Sequence, residues 1–234
     1  MTASKFIVTD SNEAAFDRIA LALENVGYCV IAHCLPLVLG EALCERVALV
    51  SNEFKRAGVG RGLGLQTDGL TRTDGIRWLL NDDLAEKAYL AWMEQLRLGL
   101  NRRLFLGLFD YESHFAVYEA GGSYRTHLDA FQGETNRVLS TVFYLNPHWL
   151  PDSCGELLIH EPDGIALLET VMPDFGTMVI FLSTQFPLSP SLSECVCSFK
   201  CLSHCRYCLV TTQLPFGTGS GELNETCIVL PGGT

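Results

Sequence analysis

The chain has 234 residues, of which 48% are hydrophobic and 18% are charged, and its formal net charge is −11. That length suits one domain with room for a small appendage, and the acidic balance disfavours binding to nucleic-acid backbones or to anionic membranes. We interpret the charge as a contribution to solubility.

The N-terminal segment MTASKFIVTDSNEAAFDR contains no apolar stretch of signal-peptide length, and no apolar run of the chain approaches the length of a membrane span. We therefore expect a soluble, cytoplasmic protein. The cysteines before residue 188 fit buried thiols in a reducing compartment, and they are Cys29, Cys34, Cys44 and Cys154.

The first part of the chain has the apolar periodicity of helices. Residues 11–27 are predicted to form a helix, residues 28–35 a strand, and a second helix opens at Pro36. A long helix to about Leu104 should follow Asp83, which is a suitable N-cap. The apolar residues predicted for the buried face of this helix are Leu84, Ala88, Trp92, Leu96 and Leu100.

From Ser113 onward the pattern changes to short β-rich runs separated by turn residues. These runs are 114–118, 138–145, 156–160, 165–171 and 177–182. Helices followed by a series of strands predict an α+β chain whose β part is a barrel or jelly roll. In the segment 188–234 only residues 207–214 and 226–230 look strand-like. That segment also holds the remaining cysteines, which are Cys195, Cys197, Cys201, Cys205, Cys208 and Cys227.

The strongest local signal for chemistry is Tyr124-Arg-Thr-His127-Leu-Asp129. On a strand, residues i and i+2 point to the same face, so His127 and Asp129 would present an imidazole and a carboxylate side by side. These are two of the three ligands of a facial triad for Fe(II). On its own, His-x-Asp is a weak signal, because such a pair more often makes ordinary surface hydrogen bonds.

The surrounding stretch HFAVYEAGGSYRTHLDAFQGETNRVLSTVFYLNPHW makes the signal more specific. It contains a strand ending in Tyr, a Gly-containing turn, a Tyr before His-x-Asp, and an Arg opening a strand that ends Tyr-Leu-Asn. In these features it resembles the catalytic core of the Fe(II)/2-oxoglutarate-dependent dioxygenases, in the prolyl 4-hydroxylase and prolyl-hydroxylase-domain-like branch. The segments CGELL and PDFGTMVIFLS are also similar to that branch, as are AGVGRGLGLQ and TRTDGIRW, which resemble the segment flanking the substrate entrance. The resemblance covers about residues 10–187.

The resemblance implies roles for individual residues. His127 and Asp129 match the iron ligands. The positions that match the lining of the 2-oxoglutarate pocket are Tyr118, Tyr144 and Leu157. The positions that match the substrate entrance are Tyr124 and Arg137.

The implied fold is a double-stranded β-helix (jelly-roll, cupin-like) core at residues 111–187. It is preceded by helical support with the entrance loop at residues 1–110 and followed by an atypical Cys-rich tail at residues 188–234. The implied activity is hydroxylation of a prolyl residue in a protein or peptide substrate, with Fe(II) and the co-substrate 2-oxoglutarate, and with ascorbate as a further expected cofactor. Neither nucleic acid nor membrane is an expected partner.

The resemblance ends near Leu188, which stands where the family has its second metal His. The Arg that the family places about nine residues later on the 2-oxoglutarate carboxylate is also absent, and the C-terminal strands are expected to be missing or replaced. One hypothesis is a frameshift or altered splice near Leu188. The other is a genuine tail in which His204, Lys200 or Arg206 supplies substitutes.

Three functions therefore stay open: an active oxygenase, a non-catalytic remnant of its fold, and a metal-binding module formed by the tail cysteines. The spacing Cys201-x3-Cys205-x2-Cys208 is that of a radical S-adenosylmethionine cluster motif, but too few residues follow it to build the barrel of those enzymes. The tail also lacks the paired Cys-x2-Cys knuckles of a typical zinc fold.

Overall fold

The computed structural model describes residues 6–7, 12–57, 74–118, 127–128, 137–149, 155–190, 206–215 and 228–229. Three helices precede and flank two β-sheets. The helices are α1 (Asn12–Val26), α2 (Leu37–Leu49) and α3 (Leu84–Leu104), with a short 3-10 helix at Ser51–Glu53. The strands are β1 (Phe6–Ile7), β2 (Tyr28–Ala32), β3 (Lys55–Arg56), β4 (Gly75–Trp78), β5 (Leu108–Tyr118), β6 (His127–Leu128), β7 (Leu139–Tyr144), β8 (Leu157–His160), β9 (Leu167–Val171), β10 (Met178–Leu182), β11 (Leu188–Pro190), β12 (Arg206–Pro215) and β13 (Ile228–Val229).

The predicted helices are confirmed, with one correction to a buried face. The first helix ends at Gly27, whose φ of +80° is a left-handed conformation that glycine adopts without steric cost. The third helix begins after Asp83, whose carboxylate accepts hydrogen bonds from the backbone N–H groups of Ala85 and Glu86. The burial predicted for Leu84 is wrong, because its side chain is 82% exposed.

In the first turns of α3 the buried positions belong to Glu86 and Tyr89, and Ala88 is exposed, contrary to the prediction. The later positions Trp92, Leu96 and Leu100 are buried as predicted. The buried face in the first turns of α3 therefore differs from the one that periodicity predicted, and it carries the Glu86 carboxylate in place of an apolar side chain.

The strands form an eight-stranded sheet in the order β1-β2-β10-β7-β12-β5-β4-β3 and a five-stranded sheet in the order β13-β6-β11-β8-β9. All the strand pairs are antiparallel except β1 with β2. The two sheets are linked where the Tyr28 hydroxyl on β2 donates to the Glu169 carboxylate on β9 at 3.1 Å. This is the double-stranded β-helix that the sequence predicted.

Two apolar clusters lie on the two faces of the larger sheet, because side chains alternate along each strand. One cluster joins the sheet to the helices and includes Phe115 and Phe143. The other fills the space toward the smaller sheet and includes Ala116 and Tyr144. The barrel interior is therefore built from every second residue of β5 and β7.

The C-terminal strands were predicted to be missing or replaced, and the structure has such a strand in the tail, where residues 207–214 were predicted to be strand-like. Strand β12, at Arg206–Pro215, lies between β5 and β7 and pairs with both over most of its length. A segment whose composition departs from the rest of the chain thus forms a central strand. None of the helices in the described part of the chain is long and apolar enough to cross a membrane.

Candidate active site

The barrel interior brings together residues that the sequence analysis singled out from four different strands. Tyr118 ends β5, Tyr144 ends β7, Leu157 begins β8 and His127 begins β6. Tyr144 and Leu157 belong to the interior cluster, and Tyr118 packs against it. His127 is only 6% exposed.

The pocket around Tyr144 is apolar among the described residues. Its neighbour across the sheet is Cys208 on β12, and the next residue in the same row is Ala116 on β5. Burial raises the pKa of Tyr144 well above its ordinary value, and the Cys208 thiol acts in the same direction. The phenol therefore stays neutral and can donate a hydrogen bond to an anionic ligand.

The sequence analysis missed Cys208 as a member of this pocket because it grouped that residue with the tail cysteines. The alternation Cys208, Val210, Thr212 along a β-rich run was the signal that could have placed it on one face of a strand. Its thiol lies in the barrel interior and is not in a disulfide. Cys208 is therefore a strand residue of the barrel core, which does not favour the proposed metal module.

His127 is paired in register with Leu188 of β11, and Leu188 is paired in turn with Ile159 of β8. These three residues lie side by side in a row that continues to Val229 of β13 and Glu169 of β9. Fe(II) in a facial triad needs two imidazoles and a carboxylate. Leu188 and Ile159 provide hydrocarbon side chains, the Glu169 carboxylate lies three strands away from His127, and no group of three His, Cys, Asp or Glu side chains within the described ranges could hold a metal. The donor set seen here does not complete the triad.

Arg137 lies apart from this pocket. It precedes β7 and is seven residues from Tyr144, which corresponds to about 23 Å along an extended strand. Its guanidinium is 10% exposed and forms an ion pair with the Glu112 carboxylate of β5 at 3.2 Å. The structure thus places Arg137 toward the opposite end of the same strands from Tyr118 and Tyr144.

Several predicted site residues lie outside the described residues. These are Asp129, Tyr124, His204, Lys200 and all the tail cysteines except Cys208. Their predicted roles stay predictions.

The comparisons of this chain with known proteins agree with one another on a single enzyme family. Residues 113–210 match the model of the 2OG-Fe(II) oxygenase superfamily, a range that runs from β5 into β12. The chain is 28% identical to the prolyl hydroxylase EGLN3 of Mus musculus over 185 residues, which are 75% of this chain and 77% of that protein.

Two solved structures extend the comparison to the fold. A prolyl-4-hydroxylase of Pseudomonas putida is 32% identical and superposes with a TM-score of 0.73, covering 88% of this chain and 100% of that one. A prolyl hydroxylase from Trichoplax adhaerens, solved with a peptide fragment of the hypoxia inducible factor oxygen degradation domain, superposes with a TM-score of 0.71. Its identity is 20%, over 88% of this chain and 94% of that one, so it supports the fold alone.

Proposed function

We propose, from the premise that this chain belongs to the 2OG-Fe(II) oxygenase superfamily and to its prolyl hydroxylase branch, that it serves to hydroxylate a prolyl residue of a protein substrate. The chain is an oxidoreductase, a 2-oxoglutarate-dependent dioxygenase of the prolyl hydroxylase type. In the proposed reaction a C–H bond, O2 and 2-oxoglutarate become a C–OH bond, succinate and CO2. Bound Fe(II) supplies the oxygen chemistry, and the protein supplies orientation and a dry pocket.

The observation that supports this proposal most strongly is the likeness to the Pseudomonas putida prolyl-4-hydroxylase, which spans the whole of that chain. The similarity to this family involves the barrel itself and not an appended segment, because the family match covers residues 113–210.

The buried residues suit a dicarboxylate co-substrate at the end of β7. Tyr144 is a neutral phenol with an apolar surround, so a hydrogen bond from it to a carboxylate would be strengthened by the low local dielectric. Leu157 is an apolar member of the same interior cluster, and Tyr118, two residues beyond Ala116 on β5, supplies a second phenol that packs against that cluster. We assign Tyr144, Leu157 and Tyr118 to the 2-oxoglutarate pocket.

A peptide substrate is proposed to enter beside Arg137 and Tyr124. The Arg137 guanidinium is held by the Glu112 carboxylate, which fixes its direction. A cytoplasmic location and a benefit from ascorbate belong to the same proposal. The location is supported by the buried Cys29 and Cys34, neither of which is in a disulfide.

The test is hydroxylation of prolyl peptides by the purified full-length chain under excess Fe(II), 2-oxoglutarate and ascorbate. A peptide from the hypoxia inducible factor oxygen degradation domain is the first substrate to try, since the Trichoplax protein was solved with one. We expect the mass gain of one oxygen atom and an equal amount of succinate, and neither from the same peptide with its proline replaced by alanine. Succinate that forms at the same rate without any prolyl peptide would contradict the proposed substrate class.

A further inference from the structure

Leu188 lies directly across from His127 in the smaller sheet. Side chains of residues paired in this way lie on the same face, with their Cβ atoms about 4.5–5.5 Å apart. Both are almost fully buried, with 3% of Leu188 and 6% of His127 exposed. Whatever side chain stands at position 188 therefore shares the space into which His127 projects.

The described surroundings of Leu188 offer no substitute ligand. Its other register partner is Ile159, and both belong to the apolar interior cluster. His160 and Ser189 are the adjacent residues on the same two strands, so they point to the opposite face. The His160 imidazole and the Ser189 hydroxyl are hydrogen-bonded to each other at 3.0 Å.

We propose that Leu188 occupies the position of a metal ligand beside His127, so that a single change of Leu188 to histidine creates a two-imidazole metal site in the barrel interior. This inference rests on the proposed function for the identity of the metal. It assigns the missing metal ligand to one buried position, with described strands on both sides of it. An imidazole at 188 would join that of His127 from the neighbouring strand, which would supply both of the imidazoles that a facial triad requires.

The test is a titration of the full-length chain with Co(II), a probe that replaces Fe(II) without reacting with oxygen and whose visible absorption reports its ligands. Wild type, Leu188→His, His127→Ala and the double variant are compared. Outer-shell changes alone alter metal affinity about 10–100-fold, so a new direct ligand should tighten binding by about 100-fold or more. That gain should disappear when His127 is also replaced by alanine.

Ile159→His is the matched control. It also places a buried imidazole in the same row, but two strands away from His127, a separation of about 10 Å that one ion cannot bridge. We expect no gain in Co(II) affinity from it. An equal gain from Ile159→His, or a gain from Leu188→His that survives the loss of His127, would overturn the inference.

Wild type itself gives a second test that does not depend on the folding of the new variants. Since one direct ligand is worth about 100-fold on the same scale, we expect the Co(II) affinity of wild type to exceed that of His127→Ala by no more than about that factor. A larger difference would mean that another side chain, such as His204, already completes the site, and the inference would fail. If Leu188→His binds Co(II) tightly but hydroxylates no prolyl peptide when loaded with Fe(II), the proposed function fails and this inference stands.

Discussion

Replacing Glu86 by glutamine should destabilise the fold strongly, because Glu86 is a fully buried carboxylate between two arginines. It accepts hydrogen bonds from the Arg77 guanidinium, from Arg46 Nε at 2.8 Å and from the backbone N–H of Leu80 at 3.1 Å. Arg77 is only 5% exposed. Glutamine keeps the shape of the side chain but removes the charge that compensates the buried guanidinium.

The size of the destabilisation depends on the carboxylates that remain around Arg77. Removing one member of a buried ion pair costs about 3–5 kcal/mol, because the other charge stays buried without compensation. Glu53 at 3.2 Å and Asp82 at 3.8 Å still face Arg77, but they are 51% and 54% exposed, so solvent screens them. We expect the variant to lose about 3 kcal/mol of unfolding free energy, at the lower end of that range. In a chain of this size that is roughly 6–12 °C in Tm.

The assay is urea unfolding followed by circular dichroism, with Glu94→Gln on the same helix as the matched control. Glu94 pairs with Arg97 at 2.7 Å but is 42% exposed, so its loss should cost less than about 1 kcal/mol. A Glu86→Gln variant as stable as Glu94→Gln would refute the reasoning, since it would show that Arg77 needs no buried counter-charge.

Four further predictions concern packing, pH, the pocket and the tail. Gly99→Ala should cost about 1–3 kcal/mol in urea unfolding, because the new Cβ would lie 2.6 Å from the Phe16 ring. Burial lowers the pKa of His160, so its contribution to stability is present above its unfolded pKa of about 6.5 and is lost as pH falls through the folded pKa. As the pH is lowered from about 6.5, the unfolding free energy of wild type should therefore fall more than that of His160→Gln, measured in parallel urea unfolding curves. Tyr144→Phe should weaken 2-oxoglutarate binding about 10-fold or more in calorimetry while leaving unfolding free energy nearly unchanged, since the lost bond is to a charged ligand. A chain that ends at residue 205 should fail to give cooperative unfolding, because it lacks the strand between β5 and β7.

The positions of the helices and of most strands were predictable because they depend on local patterns. The end of α1 at Gly27 and the start of α3 at Asp83 follow from backbone conformation and capping, which a single residue expresses. The placement of Tyr144 in the interior, which the family resemblance implied, agrees with the alternation of side chains along β7. Each of these features is encoded within a few residues of the position where it is seen.

The burial of Glu86 could not be predicted in the same way. A carboxylate in the first turn of a helix usually faces solvent, where it favours the helix dipole. Here its burial depends on Arg77 of β4 and Arg46 of α2, which come from other parts of the chain. Periodicity therefore selected Leu84 and Ala88 for the core, and the ion pairs shifted the buried face to Glu86 and Tyr89.

Strand β12 shows why the fold continues beyond Leu188, the residue near which the motifs seen in the sequence end. The barrel needs a strand between β5 and β7, since otherwise two long edges would expose unpaired backbone groups. Residues 206–215 meet that need through alternation alone: Cys208 faces the interior, and the Thr211 hydroxyl lies on the helix side within hydrogen-bonding distance of the Tyr89 hydroxyl at 2.8 Å. Backbone pairing tolerates almost any alternating sequence, whereas metal binding needs a particular atom at a particular position. The tail can therefore keep the barrel closed although Leu188, opposite His127, offers no donor atom for a metal. For the same reason a histidine restored at that one position should find the rest of the scaffold in place.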